Sequence, residues 1–556
     1  NSLILCCPNI EIIAYSLRLE FSNLICPLIS ISTFDFVVER NKFSYVGTEA
    51  GARDYLKGQW FDEVDLKGHF VLPGFNDSHM HFLHFARSLK NVNLVGVKSI
   101  EEIKERIKKN LENRESGNDS WIEGEGWNQD YFTDEKRFPN KFDLDDITGD
   151  IPAVIMRACF HVGVLNSAAL KIVGLNKETA KQYGDLIETL PDGEPNGVIK
   201  EGLLSIAKSS APSLDLEELK NIFDEAQYYA LEQGITSVQS DDIENRGESN
   251  HKLLFQAFRE LDEEGRLKIR IGEQSSIPDF DTLKTFFEEG YNHGWGNNKY
   301  RIVCIKLFTD GSLGARTAAL RNPYNDDPST RGIEIMPQDE INEMVLLSHK
   351  NNCPVAIHAI GDRAIEMSLN AIEYAQKKHP DIKLRHGIVH CQITDDALLN
   401  RVKELNVITY IQPIFIDYDM NVVYERVGKD LAETSYAWKT MIDKGIHASF
   451  GTDCPVERFD TMPNIYSAVT RKSITGEDKK IYLPNEKLSM DEALRAYTIE
   501  GAYASYEENI KGSVTVGKFA DFILLDRDLY NLDDDEEILS TQVIETYVDG
   551  KSVYKK

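Results

Sequence analysis

From residue 235 onward the chain repeats one unit: a short run rich in strand-forming residues, a polar or glycine-containing turn, then a helical pattern. The runs are ITSVQS at 235, LKIRIG at 267, IVCIKLF at 302, PVAIHAI at 354, RHGIVHC at 385, VITYIQP at 407 and IHASFGTD at 446, and their starts lie 32, 35, 52, 31, 22 and 39 residues apart. Parallel neighbours need a crossover of a dozen or more residues, usually a helix, so this spacing suits consecutive strand–helix units of one parallel sheet. The helices between them are legible. PQDEINEMVLLSHKNN places Ile341, Met344 and Val345 on one face, and DRAIEMSLNAIEYAQKK does the same with Ile365, Leu369 and Ile372. SMDEALRAYT opens with Ser489 and Glu492 in capping-box spacing. A further run, HFVLPGF at 69 to 75, brings the expected strands to eight. Eight such units make an α/β fold, a (β/α)8 barrel, whose chemistry is expected at the carboxyl ends of the strands.

The barrel is expected over residues 69–509, with a long insertion at about 88–215 after the first strand. The insertion begins with a helix carrying Ile100, Ile103, Ile107 and Leu111 and contains turn-rich pieces such as LPDGEPNG, and an insertion of this length reads as a lid or specificity subdomain. The flanks, 1–68 and 510–556, are rich in strand signals such as FVVERNKFSYVG, ADFILLD and VIETYVDGKSVY. Both ends are expected to meet in one small β-sandwich domain. The first 34 residues are apolar but broken by Pro8, Glu11, Arg18, Glu20 and Pro27, so no run reaches the roughly 18 to 20 residues of a membrane helix, and they read as strands.

Charge narrows the partners. With 62 Lys+Arg against 91 Asp+Glu, a formal charge of -29 argues against nucleic acid or an anionic membrane surface. The eight cysteines are scattered, with no zinc-like C-x-x-C pair, which fits a reducing, cytoplasmic setting. The expected partner is a small-molecule substrate, with no nucleic acid and no membrane, and a homodimer is compatible with that reading.

Chemistry collects at the strand ends. His79 and His81 in PGFNDSHMHF stand at i and i+2, so on an extended chain both imidazoles point to one side and can grip one cation. His358 ends the apolar part of PVAIHAIGD, His390 that of GIVHCQ, and Asp453 ends ASFGTD, each where a barrel strand would deliver it to the open rim. Lys306 stands inside the apolar run IVCIKLF, where an unpaired ammonium would be costly. Any one of these residues has an ordinary structural explanation. Together, at the ends of different strands, they form a pattern.

PGFNDSHMHF, IKLFTDGSLGARTAAL, VAIHAIGDRA, IVHCQ, FGTDCPV and the tail LSMDEALRAYTIEGAYASYEENIKGSVTVGKFADFILLD together resemble the amidohydrolase superfamily, and more narrowly its N-substituted formamide deformylase-like branch of metal-dependent hydrolases. The resemblance covers about residues 35 to 556. It implies that His79 and His81 are the metal-binding pair of the first strand, Lys306 the lysine of the fourth, His358 and His390 the histidines of the fifth and sixth, and Asp453 the aspartate of the eighth. Imidazole and carboxylate donors without thiolates suit Zn²⁺, with Fe²⁺, Mn²⁺ or Co²⁺ also admissible, as one or two ions. A metal so held lowers the pKa of water to about 7 and polarises a carbonyl, and Asp453 would carry the proton to the departing nitrogen. The reaction expected is hydrolysis of a C–N bond in an amide or N-substituted formamide. The alternatives are a cyclic amide, carbamate or ester, and a noncatalytic binding or regulatory barrel.

Three readings of Lys306 stay open: an ion pair with Asp310 or another carboxylate, a Schiff-base nucleophile, and a neutral amine that captures CO2 so that the carbamate bridges two metals. The third is preferred if the site holds two ions. For substrate contacts the candidates are Trp127 in EGEGWNQD, His161 in CFHVGVLN, Arg316, Arg363 and Gln412, with His161 preferred because it follows the apolar run IPAVIMRACF, and His84 set lower. Packing for Trp127 and ion pairs for the two arginines are the competing explanations.

Overall fold

The computed structural model describes residues 12–16, 35–112, 121–158, 162–200, 202–211, 214–243, 251–474 and 479–556. Eight parallel strands form one sheet in chain order: β1 (Phe75–Met80), β2 (Ile235–Ser240), β3 (Arg270–Ser276), β4 (Tyr300–Phe308), β5 (Val355–Ala359), β6 (Gly387–His390), β7 (Ile408–Ile411) and β8 (Ala448–Phe450). Helices follow the strands, among them Gln338–Lys350, which buries Ile341, Met344 and Val345, and Asp362–Lys378, which buries Ile365, Leu369 and Ile372. The helix Met490–Ala496 starts with a complete Ser489/Glu492 capping box.

The sheet curls until its first and last strands meet. At that seam the Asp453 amide donates to the His79 carbonyl at 2.9 Å. A Cβ on Gly451 would lie 2.6 Å from both the nitrogen and the oxygen of His79, so only glycine lets the chain pass this close.

Two strands differ from the sequence reading. HFVLPGF is not the first barrel strand: Phe70–Pro73 pairs antiparallel with Phe522–Leu525, and β1 begins only at Phe75. Pro73-Gly74 separates two strands that serve different sheets, and a side chain at Gly74 would collide with Thr236. The polar FNDSHM escapes an apolar-run criterion because the end of the barrel interior it fills is itself polar; all six residues are buried. For the same reason the run at 267 yields a strand that continues through Glu273, Gln274 and Ser275, all buried.

The β-sandwich draws on both flanks. One four-stranded sheet contains Ile12–Ser16, Asp35–Glu39, Lys42–Gly47 and Asp62–Asp65, and the other contains Phe70–Pro73, Phe522–Leu525, Val543–Val548 and Lys551–Lys555. Phe36 meets Phe43 and Phe522 with ring centroids 5.3 and 5.0 Å apart. The last hairpin turns at Asp549-Gly550, both at positive φ, as a two-residue turn between twisted strands requires. Arg270 of β3 ties this domain to the barrel by donating to Asp521 at 2.6 and 3.0 Å.

The described residues between 84 and 222, together with 251–253, form a second compact unit. Its six-stranded sheet alternates faces: Ile155 and Val164 pack with Ile103, Ile107 and Trp127 on one side, while Val154, Met156 and Leu165 pack with Leu170 and Ile199 on the other. Among the described residues no helix is long and apolar enough to cross a membrane.

Candidate functional site

Each strand delivers its residue by position. His79 lies in β1 and His81 one residue beyond it, Lys306 lies in β4, His358 in β5, His390 ends β6, and Asp453 follows β8. His390 and Asp453 take left-handed backbone conformations, with φ of 75° and 59°. Such a conformation is unfavourable for a non-glycine residue and recurs where the surroundings fix a functional side chain.

The imidazoles and the carboxylate converge. His79 Nε2 and His81 Nε2 lie 3.3 and 3.2 Å from the same oxygen, Asp453 Oδ1. His390 Nε2 lies 3.0 Å from His358 Nδ1. Among the described residues, His79, His390 and Asp453 each offer one ligand atom to a group spanning no more than 4.8 Å. The second side of each ring is held. His79 Nδ1 is 2.6 Å from Gln274 Oε1, His390 Nδ1 is 2.8 Å from Gln412 Oε1, and His358 Nε2 is 3.1 Å from the Gly311 carbonyl. His81 Nδ1 lies 3.4 Å from the Asp241 carbonyl.

Tautomers follow from this network. Each outward nitrogen faces an oxygen that can only accept, so it carries the proton. Each inward nitrogen then presents a lone pair. The pair on His358 Nδ1 faces the pair on His390 Nε2, and those on His79 and His81 face a carboxylate oxygen. Neutral rings so disposed repel unless a cation or an added proton lies between them.

Burial lowers His79 to about 4, with the Lys306 charge acting in the same direction. Burial and the neighbouring His358 hold His390 well below the usual imidazole range. Burial raises Asp453, and a proton or cation between it and His79 and His81 is what would hold its carboxyl well below the carboxylate range. His79 Nε2 and Asp453 Oδ1 are buried without a hydrogen-bond partner, as is Lys306 Nζ.

Lys306 is 1% exposed, and its ammonium is 3.5 Å from Asp241 Oδ2 and 4.0 Å from the centre of the Phe308 ring. Its carboxylate neighbour is therefore Asp241 and not Asp310. Asp310 instead accepts from the backbone amides of Ala319, Ile360 and Gly361 and so fixes the loops beyond β4 and β5.

The substrate candidates take other places. Gln412 is buried against His390, so it orients that ring from behind. Arg316 pairs with Asp326, and Arg363 with Glu334 and Glu366, leaving both guanidinium groups committed to acids. Trp127 is fully buried in the core of the second unit, its ring 5.7 Å from that of Phe138, and His84 in the same unit lies 3.9 Å from Glu125. His161 lies outside the described residues.

Three contributors were missed. Gln274 and Asp241 follow or end apolar runs and read as turn residues. Asp77, whose carboxylate accepts from the Thr452 amide at 3.1 Å and the Thr452 hydroxyl at 2.6 Å, looks like an ordinary loop acid. Burial pushes Asp77 up to about 7. The available signal is the period of two along a strand: Asp77 stands two residues before His79 and four before His81, so it shares their face, whereas no such mark singles out Gln274.

Residues 62–554 match the Amidohydrolase family. The Bacillus subtilis protein named "Putative amidohydrolase YtcJ" is 31% identical over 89% of this chain and 91% of its own length. N-substituted formamide deformylase of Arthrobacter pascens is 24% identical over 94% of both chains. Among solved structures, an uncharacterized metal-dependent hydrolase from Pyrococcus horikoshii OT3 is 31% identical with a TM-score of 0.78, covering 94% of this chain and 99% of the other. With its barrel, its cluster of histidines and aspartate suited to a divalent metal, and relatives matched over nearly their whole lengths, the chain belongs to the amidohydrolase family and is a metal-dependent hydrolase.

Proposed function

We propose that the protein hydrolyses a C–N bond, in an amide or N-substituted formamide, at a site where His79, His81, Lys306, His358, His390 and Asp453 hold one or two divalent ions, zinc being the best match to the donor set. The observation that carries the reading is the convergence of imidazole nitrogens on one another and on Asp453 Oδ1 while an acceptor holds the far side of each ring, which leaves lone pairs facing inward in the neutral rings. A bound divalent ion supplies a water of lowered pKa and polarises the carbonyl to be cleaved. With the protons of His79 and His81 on their outward nitrogens, a cation between the rings and Asp453 would keep its carboxylate ionised, and Asp453 Oδ1 would then take the water's proton and return it to the leaving nitrogen. The resemblance to the Arthrobacter deformylase supports the choice of bond.

Were two ions bound, Lys306 would serve as a carbamate: its neutral nitrogen would attack the carbon of CO2 and release a proton, supplying an anionic oxygen donor. The 3.5 Å approach of Asp241 to the amine favours a second reading, in which one ion is bound and Lys306 stays an ammonium paired with Asp241.

Metal content of protein purified without chelator, followed by amine release from N-substituted formamides, lactams and esters, tests the proposal. Metal-dependent amine release from the formamides is expected. Absence of bound transition metal, or turnover of esters alone, would overturn it. Labelled bicarbonate, read by NMR, separates the two states of Lys306.

A further inference from the structure

Gln274 and Gln412 stand behind two different imidazoles and are built alike. Gln274, within β3, takes the Nδ1 proton of His79 on its oxygen and donates its amide nitrogen to the Ser78 carbonyl at 3.0 Å. Gln412, just past β7, takes the Nδ1 proton of His390 and donates to the Tyr410 carbonyl at 3.2 Å. Both side chains are buried, at 0% and 3% exposure. Each amide therefore sits between a histidine N–H and a backbone carbonyl. The carbonyl can only accept, so the amide nitrogen must face it and the amide oxygen must face the ring. A carboxylate in the same place would set an unprotonated oxygen against that carbonyl in a site closed to water, which is costly.

We infer that Gln274 and Gln412 are positioning residues shaped for a neutral amide, fixing His79 and His390 as Nδ1–H tautomers whose Nε2 lone pairs point at the cation site. The inference rests on the metal-dependent reading above. Histidines that bind metals are commonly backed by carboxylates, which draw on the ring proton and make the imidazole a stronger donor. A neutral amide fixes the same orientation without adding charge. It leaves Asp453 as the anion shared by His79 and His81, and leaves more of the ion's positive charge for the substrate.

The test measures Zn²⁺ affinity by chelator competition on metal-stripped wild type, Gln274→Met, Gln412→Met and Gln274→Glu, with melting curves of each stripped protein to confirm folding. Methionine keeps the bulk and removes the acceptor, so each Met variant should bind Zn²⁺ about 10- to 100-fold more weakly. Gln274→Glu restores the acceptor and should bind Zn²⁺ more tightly than Gln274→Met, while its stripped form should melt below wild type because its second oxygen faces the Ser78 carbonyl; a stripped Glu variant melting with wild type would remove the preference for a neutral amide. Met variants that bind within twofold of wild type, or a Glu variant as weak as the Met variant, would overturn the inference. If one Met variant fails to fold, the other carries the comparison. A wild-type protein that takes up no divalent ion would instead sink the metal-dependent reading, a separate outcome.

Discussion

Two close pairs of histidines stand at opposite ends of the barrel wall with nearly the same spacing. At the carboxyl ends of the strands, His390 Nε2 is 3.0 Å from His358 Nδ1; at the amino ends, His386 Nε2 is 2.9 Å from His349 Nδ1. Distance does not distinguish them. The protons do. In the second pair the Val355 amide donates to His386 Nδ1, His386 Nε2–H then donates to His349 Nδ1, and His349 Nε2–H donates to the His379 carbonyl at 3.2 Å. Every donor meets an acceptor, and the chain is complete with both rings neutral. In the first pair both ring protons are spent outward, on Gln412 and Gly311, and two lone pairs remain face to face. A close histidine pair thus signals a cation only when its hydrogen bonds fail to close.

The largest separation between the two ends is expected in turnover. Asp453→Asn keeps the size of the side chain and can still accept from one side, but it cannot take a proton from water. Hydrolysis should fall about 10²- to 10⁴-fold, the usual contribution of a placed acid or base. Metal content measured alongside should stay close to wild type. Full activity in this variant would remove Asp453 from proton transfer and leave the rim with a purely structural cluster, like the base.

How far the chain could be read in advance follows the same division. The strands β2 and β4 to β8 are apolar runs, because their side chains fill a dry interior or pack beneath helices, and Lys306, His358, His390 and Asp453 stood out as polar residues within or just past such runs. β1 did not show itself. Its sequence, Phe75 to Met80, is mostly polar, and the neighbouring apolar FVLP took its place although that segment pairs with the sandwich. Gln274 and Asp241 were invisible because a buried polar residue past a strand's apolar part has the composition of a turn. Trp127, Arg316, Arg363 and Gln412 mark the opposite limit: residue type suggested contact with a ligand, while packing, ion pairs and a neighbouring ring claimed the side chains. No local pattern encodes which partner lies across the fold.

A smaller effect should appear in metal affinity. His390→Ala removes one of the facing lone pairs and should weaken Zn²⁺ binding about 100-fold or more, beyond the 10- to 100-fold typical of losing a group that only supports a ligand. His386→Ala removes a ring at the same spacing but in a closed chain. It should leave Zn²⁺ affinity within threefold of wild type while lowering the melting temperature, since the Val355 amide and His349 lose their partners. Equal losses from both substitutions would mean that the difference in proton placement carries no functional weight.

The smallest effect separates the pairs by pH and concerns stability alone. Burial lowers His386 to about 3, with the neighbouring His349 acting in the same direction, and burial also lowers His349. A histidine with an unfolded pKa near 6.5 and a lower folded one binds its proton in the unfolded chain first. Its contribution is complete above about pH 6.5 and declines as the pH falls toward the folded value. For His386 the slope approaches one proton, and about 2 kcal/mol should be lost between pH 8 and pH 5. His79 and His390 are lowered as well, so the measurement is made by difference, with Zn²⁺ absent from both proteins. Denaturant unfolding of wild type and His386→Gln at pH 8, 6.5 and 5 gives the two slopes. The variant should be less stable at pH 8 but lose less on acidification, by close to one proton's worth. Parallel pH profiles would show that the closed pair at the base accepts a proton as readily folded as unfolded, and the contrast with the rim would then rest on metal affinity alone.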